Sequence, residues 1–223
     1  MGFLITVEAP DASGKATQTK MLLERLTKEG YKTYKFAFPN YGSDACRPVE
    51  MYLDGVLGNK PEDTNAYSAS VLFAVDRFFS YRTEWKKLLD EENTVIVLDR
   101  YTTSNAVHQI VKLDESEWDT FLSWLYDFEF KKMALPVPDI TIALDVPPEV
   151  SKVLMDKRAK EDENHKTDIH EADTEYLKKC YEASKYASEK WNWQRISCTK
   201  GGEMLSRSEI HEKIYNAVKK KLG

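Results

Sequence analysis

Five short apolar runs with helical sequence between them leave this chain few architectures. They are Phe3 to Val7, Tyr34 to Phe38, Thr94 to Leu98, Ile140 to Leu144, and a weaker run around Ile196 to Cys198. Each is strand-length and rich in β-branched or aromatic residues. Thr17 to Lys28 carries Met21, Leu22 and Leu26 at helical spacing, with Gly30 just past its end. Ser116 to Lys132 places Trp118, Phe121, Leu122, Leu125 and Phe128 on one helical stripe, which Pro136 and Pro138 close. The tail from Ser208 to Leu222 repeats the spacing with Ile210, Ile214, Ala217 and Val218, and Ser208 is the expected N-cap. Strands alternating with helices predict an α/β fold, a parallel sheet of about five strands with helices on both faces.

The chain has 223 residues, enough for a large core without disulfides or a structural metal. No linker or fixed repeat divides it, so one domain spanning 1–223 is expected. Its 32 basic and 37 acidic side chains give a formal charge of -5, which disfavours a protein that wraps a nucleic-acid backbone. A small phosphorylated ligand remains compatible, because a few local groups can make a positive pocket in an acidic protein. Cys46, Cys180 and Cys198 are widely separated and form no CxxC pair, so reduced, buried thiols in a cytoplasmic protein are expected. No run approaches the roughly 18 apolar residues of a membrane span, and no membrane partner is expected. One stretch, Lys157 to Glu175, is almost wholly charged. It reads either as solvated surface or as a lid over a phosphate site, with the lid spanning about residues 157–173.

The chemistry is concentrated after the first strand, in Glu8-Ala9-Pro10-Asp11-Ala12-Ser13-Gly14-Lys15-Ala16-Thr17. A loop between a strand and a helix can ring phosphates with backbone N–H groups, while the helix N-terminus and a lysine supply positive charge. The usual pattern, GxxxxGK[ST], is broken twice, at Ala9 and Ala16. Ala9 is tolerable where φ is negative. Ala16 lacks the hydroxyl that normally ligates Mg²⁺. Thr17 stands about 100° further round the helix and is not assumed to replace it. The third strand ends in Asp99-Arg100-Tyr101, followed by Thr102-Thr103-Ser104-Asn105. A carboxylate at that strand end faces the same sheet edge as the phosphate loop and can hold the water shell of Mg²⁺. Arg100 can clamp a phosphate.

Together these segments resemble the thymidylate kinases, P-loop kinases of nucleoside monophosphates. The family's E-G-x-D-G-x-G-K-[ST]-T-Q is met by Glu8, Asp11, Gly14, Lys15, Thr17 and Gln18. Its D-R-[YH]-x-x-S-x-x-A-[YF]-Q is met by Asp99, Arg100, Tyr101, Ser104 and Gln109, with Ala106 and Val107 where x and A are expected. Phe38-Pro39, the helix motif Leu72-Phe73 with Arg77, and Pro138-Asp139-Ile140 through Leu144-Asp145-Val146-Pro147 complete the likeness. The resemblance implies transfer of the γ-phosphoryl group of ATP to dTMP, with Mg²⁺, in a homodimer that Trp118, Trp124, Trp191 or Trp193 can help to form. It further implies that Asp11, Ala12, Ser13, Gly14, Lys15, Ala16 and Thr17 line the ATP phosphates. Asp11, Phe38, Pro39, Tyr41, Phe73, Arg77, Arg100, Ser104, Asn105, His108 and Gln109 would line dTMP. Phe73 would stack on the base that Arg77 bonds, and Asp11 would meet the sugar 3′-hydroxyl. Lys15, Asp99, Arg100 and Arg158 would carry the transfer, with Asp99 as the metal ligand.

Three departures from the pattern qualify this. Tyr41 replaces an arginine expected near the dTMP phosphate, which shifts that load to Arg47 or Arg100. His108 replaces the aromatic residue that crowds a ribose 2′-hydroxyl. The lid sequence Asp168-Ile169-His170-Glu171 lacks its arginine, leaving Arg158 with Lys157, Lys160 and Lys166 to cover the phosphates. Two rival readings remain at this level, a kinase for another deoxynucleotide or deoxynucleoside and a nucleotide-binding module without turnover.

Overall fold

The computed structural model describes residues 2–10, 13–58, 60–161 and 174–223, apart from the side chains of 157–161 and 174. In chain order the main elements are β1 (Phe3–Glu8), α1 (Lys15–Lys28), β2 (Lys32–Ala37), α2 (Arg47–Leu53), α3 (Ala66–Ser80), α4 (Lys86–Asp90) and β3 (Thr94–Asp99). Then come α5 (Thr102–His108), α6 (Trp118–Tyr126), β4 (Ile140–Asp145), α7 (Pro148–Glu161), α8 (Thr174–Lys190), β5 (Gln194–Ser197), β6 (Thr199–Lys200), β7 (Glu203–Met204) and α9 (Arg207–Leu222). The first five strands form one parallel sheet in the order β2-β3-β1-β4-β5. The expected α/β architecture is therefore observed.

Alternation along the strands builds a core on each face. Ile5, Val7, Val95, Val97, Ile142 and Leu144 point to the side where α1 and α9 lay down Leu22, Leu26, Ile210, Ile214 and Val218. Leu4, Ile96 and Leu98 point the other way, onto Trp85, Leu89 and Tyr101. Ala143 joins that opposite side under α5, α6 and α8, with Phe121, Leu125 and Ala183. β2 is an edge strand, and Lys32 at its start pairs with Glu91, just before β3, at 2.8 Å.

Several boundaries differ from the sequence reading. Ser206, not Ser208, caps α9: its Oγ accepts the Glu209 N–H at 3.2 Å, and Glu209 returns a carboxylate to the Ser206 N–H at 2.9 Å. That reciprocal box satisfies two helix-end donors, which Ser208 cannot do from inside the first turn. The expected helix over 116–132 is helical throughout, opening as a 3-10 turn, continuing as α6 and closing in a π-helical turn over Asp127–Lys132. A small hairpin, β6–β7, adds to the expected elements; Gly201 and Gly202 at its tip both have positive φ, 61° and 84°. The tryptophans pack within the chain: Trp118 and Trp193 are buried, and Trp124 and Trp191 are in ring contact with Tyr67, Phe128 and Tyr126. All three cysteines are free and buried, and burial pushes the Cys46 and Cys198 thiols up to about 12. Among the described residues no helix is long and apolar enough to cross a membrane.

Lys112, just beyond α5, fastens α2 and the segment before α3 by donating to the Tyr52 hydroxyl and the Thr64 carbonyl, both at 2.9 Å. Burial lowers its pKa to about 8, and Glu62 offsets only part of that. Between about pH 8 and the ordinary lysine value the unfolded chain keeps a proton that the folded chain has lost. Its contribution to stability therefore rises with pH across that window and is flat below it. Comparing parent and Lys112→Met by urea unfolding at about pH 7 and about pH 9.5 checks this. The parent is expected to gain on the variant at the higher pH; a gap that narrows or stays constant would contradict it.

Candidate active site

The phosphate loop leaves β1 at the sheet's carboxyl edge and enters α1. Gly14 is the N-cap of α1 at φ 83°, and a Cβ placed there would meet nothing within 4 Å. Glycine is needed there for its backbone, not for space. Ala9 is not among the residues with positive φ, so the missing first glycine costs no strain. Ser13 turns the loop by donating its hydroxyl to the Pro10 carbonyl at 2.6 Å. Gln18 ties the helix to the start of α9 by donating to the Arg207 carbonyl at 2.9 Å. Ala16 and Thr17 occupy the first turn, and Asp11 and Ala12 lie outside the described residues.

Parallel pairing sets Val7 of β1 opposite Asp99 of β3, so the two motifs meet at one edge. Lys15 Nζ lies 2.6 Å from Asp99 Oδ1, and Lys35 of β2 reaches Asp99 Oδ2 at 3.3 Å. Burial lowers the Lys15 pKa, and Arg100 adds to that against the pull of Glu8 and Asp99. Burial alone would raise the Asp99 pKa, but Lys15 and then Lys35 outweigh it and hold the carboxylate below its usual range. Asp99 is therefore an anion at the mouth of the loop. Among the described residues no group of three or more His, Cys, Asp or Glu side chains could hold a metal. One carboxylate nevertheless fits Mg²⁺, which usually keeps several waters and takes substrate phosphates as its other ligands.

Glu8, the first residue of the loop motif but not among the expected site residues, is the hub of this edge. It is 3% exposed, and each carboxylate oxygen is used. Oε1 accepts from Arg100 Nη1 and from the Ala9 N–H, both at 3.1 Å. Oε2 accepts from the Thr103 hydroxyl at 2.9 Å and the Ser104 hydroxyl at 2.5 Å. Arg100 has φ 66°, a left-handed conformation uncommon outside glycine, and its N–H bonds the Val7 carbonyl at 3.1 Å. That backbone bond and the Glu8 carboxylate hold it there. His108 stands one helical turn beyond Ser104, with Nε2 3.2 Å from Arg100 Nη1. Beside it a cleft of about 60 Å³ runs between β1, β4 and helices α7 and α8.

The residues assigned to the base side fall into a second group. Phe73 of α3 is half-buried with its ring at right angles to Tyr52, 5.9 Å between centroids. Arg77 does not face an open site: its side chain is 1% exposed and is gripped by Glu129, Nε to Oε2 at 2.8 Å and Nη2 to Oε1 at 2.6 Å. The same carboxylate accepts from Thr102 at 2.7 Å and Asn105 at 3.3 Å. Gln109 is buried one turn past Asn105, and its Oε1 has no partner among the described residues. Phe38 is buried against Tyr101, the Phe38–Pro39 peptide is cis, and Tyr41 is exposed. Asn40 instead ties this loop to α3, its N–H bonding the Asp76 carboxylate at 2.8 Å. The structure thus gathers Lys15, Asp99, Arg100, Ser104 and His108, and it sets Arg77, Thr102 and Asn105 around Glu129. The Arg158 side chain and the lid reading over 162–173 lie outside the described residues.

A sequence model of the family described as thymidylate kinase matches residues 7–210. The thymidylate kinase of Mycobacterium tuberculosis (strain ATCC 25618 / H37Rv) is 30% identical over 173 residues, 77% of this chain and 79% of that protein. That of Halothermothrix orenii is 27% identical over 223 residues, 98% of this chain and 97% of its own. The thymidylate kinase of Homo sapiens is 27% identical over 145 residues, 65% of this chain and 61% of its own.

Proposed function

Because the chain belongs to the thymidylate kinase family and is a dTMP kinase that converts dTMP to dTDP, we propose that Glu8, Lys15, Asp99 and Arg100 form its transfer site. The family implies ATP as donor and dTMP as acceptor. The observation that carries the site assignment is the Glu8 carboxylate. It holds Arg100 beside the phosphate loop while Asp99 holds Lys15 at 2.6 Å, so two cations converge on one sheet edge.

Backbone N–H groups from Ser13 to Thr17 cradle the donor phosphates, and Lys15 bridges the outer ones. Arg100 fixes the acceptor phosphate, with Ser104 at its flank. Asp99 would hold Mg²⁺ by its water shell, and the ion would neutralise charge on the phosphate oxygens. Phe73 stacks on the base, and Asp11 meets the sugar 3′-hydroxyl. Arg77, enclosed with Glu129, serves the base by fixing the helix that carries Phe73 one turn earlier. Arg158 closes over the transferring group from a lid near 157–173. Catalysis is positioning and charge neutralisation, with no covalent enzyme intermediate.

We place the reaction in the cytoplasm, consistent with three free thiols. Val71 and Phe79 of α3 are exposed at 38% and 53%, with Val75 between them on the same stripe, which supports pairing of two copies through α3. Sedimentation showing only monomer would exclude that pairing.

An assay of ADP release with dTMP, dUMP, CMP and thymidine tests the reading. The rate with dTMP is expected to exceed the others by at least about tenfold at equal concentration. Arg100→Ala is expected to raise KM for dTMP more than about tenfold and leave KM for ATP within about twofold. An unchanged KM for dTMP would remove Arg100 from the acceptor site.

A further inference from the structure

We infer that His108 is a positioning residue that couples helix α8 to the acceptor-phosphate arginine. The inference rests on the assignment of Arg100 given above. His108 is held by α8 in three ways. Its carbonyl accepts from the Tyr176 hydroxyl at 2.8 Å, its Nδ1 lies 3.6 Å from Cys180 Sγ, and its ring stacks on Tyr176 with centroids 6.4 Å apart at 20°. On the far side of the ring, Nε2 meets Arg100 Nη1 at 3.2 Å. The imidazole therefore spans from α8 to the guanidinium.

The chemistry of that contact fixes the tautomer. A guanidinium only donates, so Nε2 must carry the lone pair and accept. The ring proton is then on Nδ1, where it points to the Cys180 sulfur. Arg100 Nη1 is thus shared between Glu8 Oε1 at 3.1 Å and His108 Nε2, with Ser104 Oγ at 3.5 Å. Glu8 belongs to the rigid sheet. His108 belongs to α5 but is steadied by α8, the helix that follows residues 162–173. A shift of α8 would move the imidazole and release one of the acceptors that aim Nη1. A cleft of about 60 Å³, lined by Val107, Val146 and Leu177 among others, borders this side of α8. In this role His108 acts on the acceptor phosphate through Arg100 and not by touching it.

Two measurements test this. The first is a double-mutant cycle with His108→Phe, which keeps a ring of similar volume and removes the acceptor, and Arg100→Ala. His108→Phe is expected to raise KM for dTMP about tenfold with KM for ATP within about twofold. In the Arg100→Ala background the same change is expected to have less than about a twofold effect. Equal effects in both backgrounds would overturn the coupling. If Arg100→Ala alone leaves KM for dTMP unchanged, it is the acceptor-site assignment that fails, which keeps the two failures distinct. The second is ¹⁵N-edited NMR of the parent protein, which needs no variant to fold. A neutral His108 ring protonated at Nδ1 is expected, and a ring protonated at Nε2 would overturn the inference.

Discussion

A Glu129→Leu chain is expected to unfold more easily than the parent by about 3–5 kcal/mol. Glu129 is fully buried and accepts four hydrogen bonds, two from Arg77 and one each from Thr102 and Asn105. Leucine removes the charge but leaves the Arg77 guanidinium, 1% exposed, with the Tyr101 carbonyl at 3.5 Å as its one remaining acceptor among the described residues. An uncompensated buried cation is the costly species, not the lost attraction between the pair. The companion variant makes that distinction measurable. Arg77→Met with Glu129→Leu removes both charges and is expected to recover most of the loss, because the intact pair itself contributes little net stability. For a chain of this size the single variant corresponds to a fall in Tm of roughly 6–20 °C. A loss below about 1 kcal/mol, or a double variant no better than the single one, would show that the cluster does not hold α3 to the segment after α6.

Glu129 also shows where sequence reading stops. It falls four residues after Leu125, so helical spacing already placed a carboxylate on the stripe that turns inward. Its partner Arg77 is 52 residues away in sequence, and no local pattern joins them. The i, i+4 relation of Phe73 and Arg77 was legible, but not that the arginine would be enclosed. The same limit hid Glu8. Its place at the end of the first strand was plain, whereas its partners Arg100, Thr103 and Ser104 lie 92 to 96 residues on and are brought there by parallel pairing of β1 with β3. By contrast the sheet was readable, because each buried strand is a short continuous apolar run. Gly14-Lys15 and Asp99-Arg100 were readable because each is a contiguous motif at a strand end. The Ser206 to Glu209 box and the Gly201-Gly202 turn are local signals, legible as S-x-x-E and G-G in the sequence itself.

The largest effect on rate is expected from Lys15→Met, a fall in kcat of about 10²–10³ with dTMP affinity within about twofold of the parent. Methionine keeps the length of the side chain and removes only the charge that would meet phosphate oxygens as the γ-phosphoryl group moves. The fold should tolerate the change. Asp99 would keep Lys35 at 3.3 Å, so no carboxylate is stranded. Burial, reinforced by Arg100, lowers the Lys15 pKa despite its 2.6 Å contact with Asp99. The folded chain therefore disfavours the charged amine relative to the unfolded one, and the charge is kept at a cost to stability. Two consequences follow from that sign. Lys15→Met should be at least as stable as the parent below the lowered pKa, whereas Glu129→Leu should not. In the parent, kcat/KM for ATP should begin to fall on the alkaline side at a lower pH than a free lysine would give, because that ratio reports the free enzyme. A kcat within about tenfold of the parent would take Lys15 out of the transfer step. A marked loss of Tm would mean that its ion pair with Asp99 supports the fold rather than the reaction.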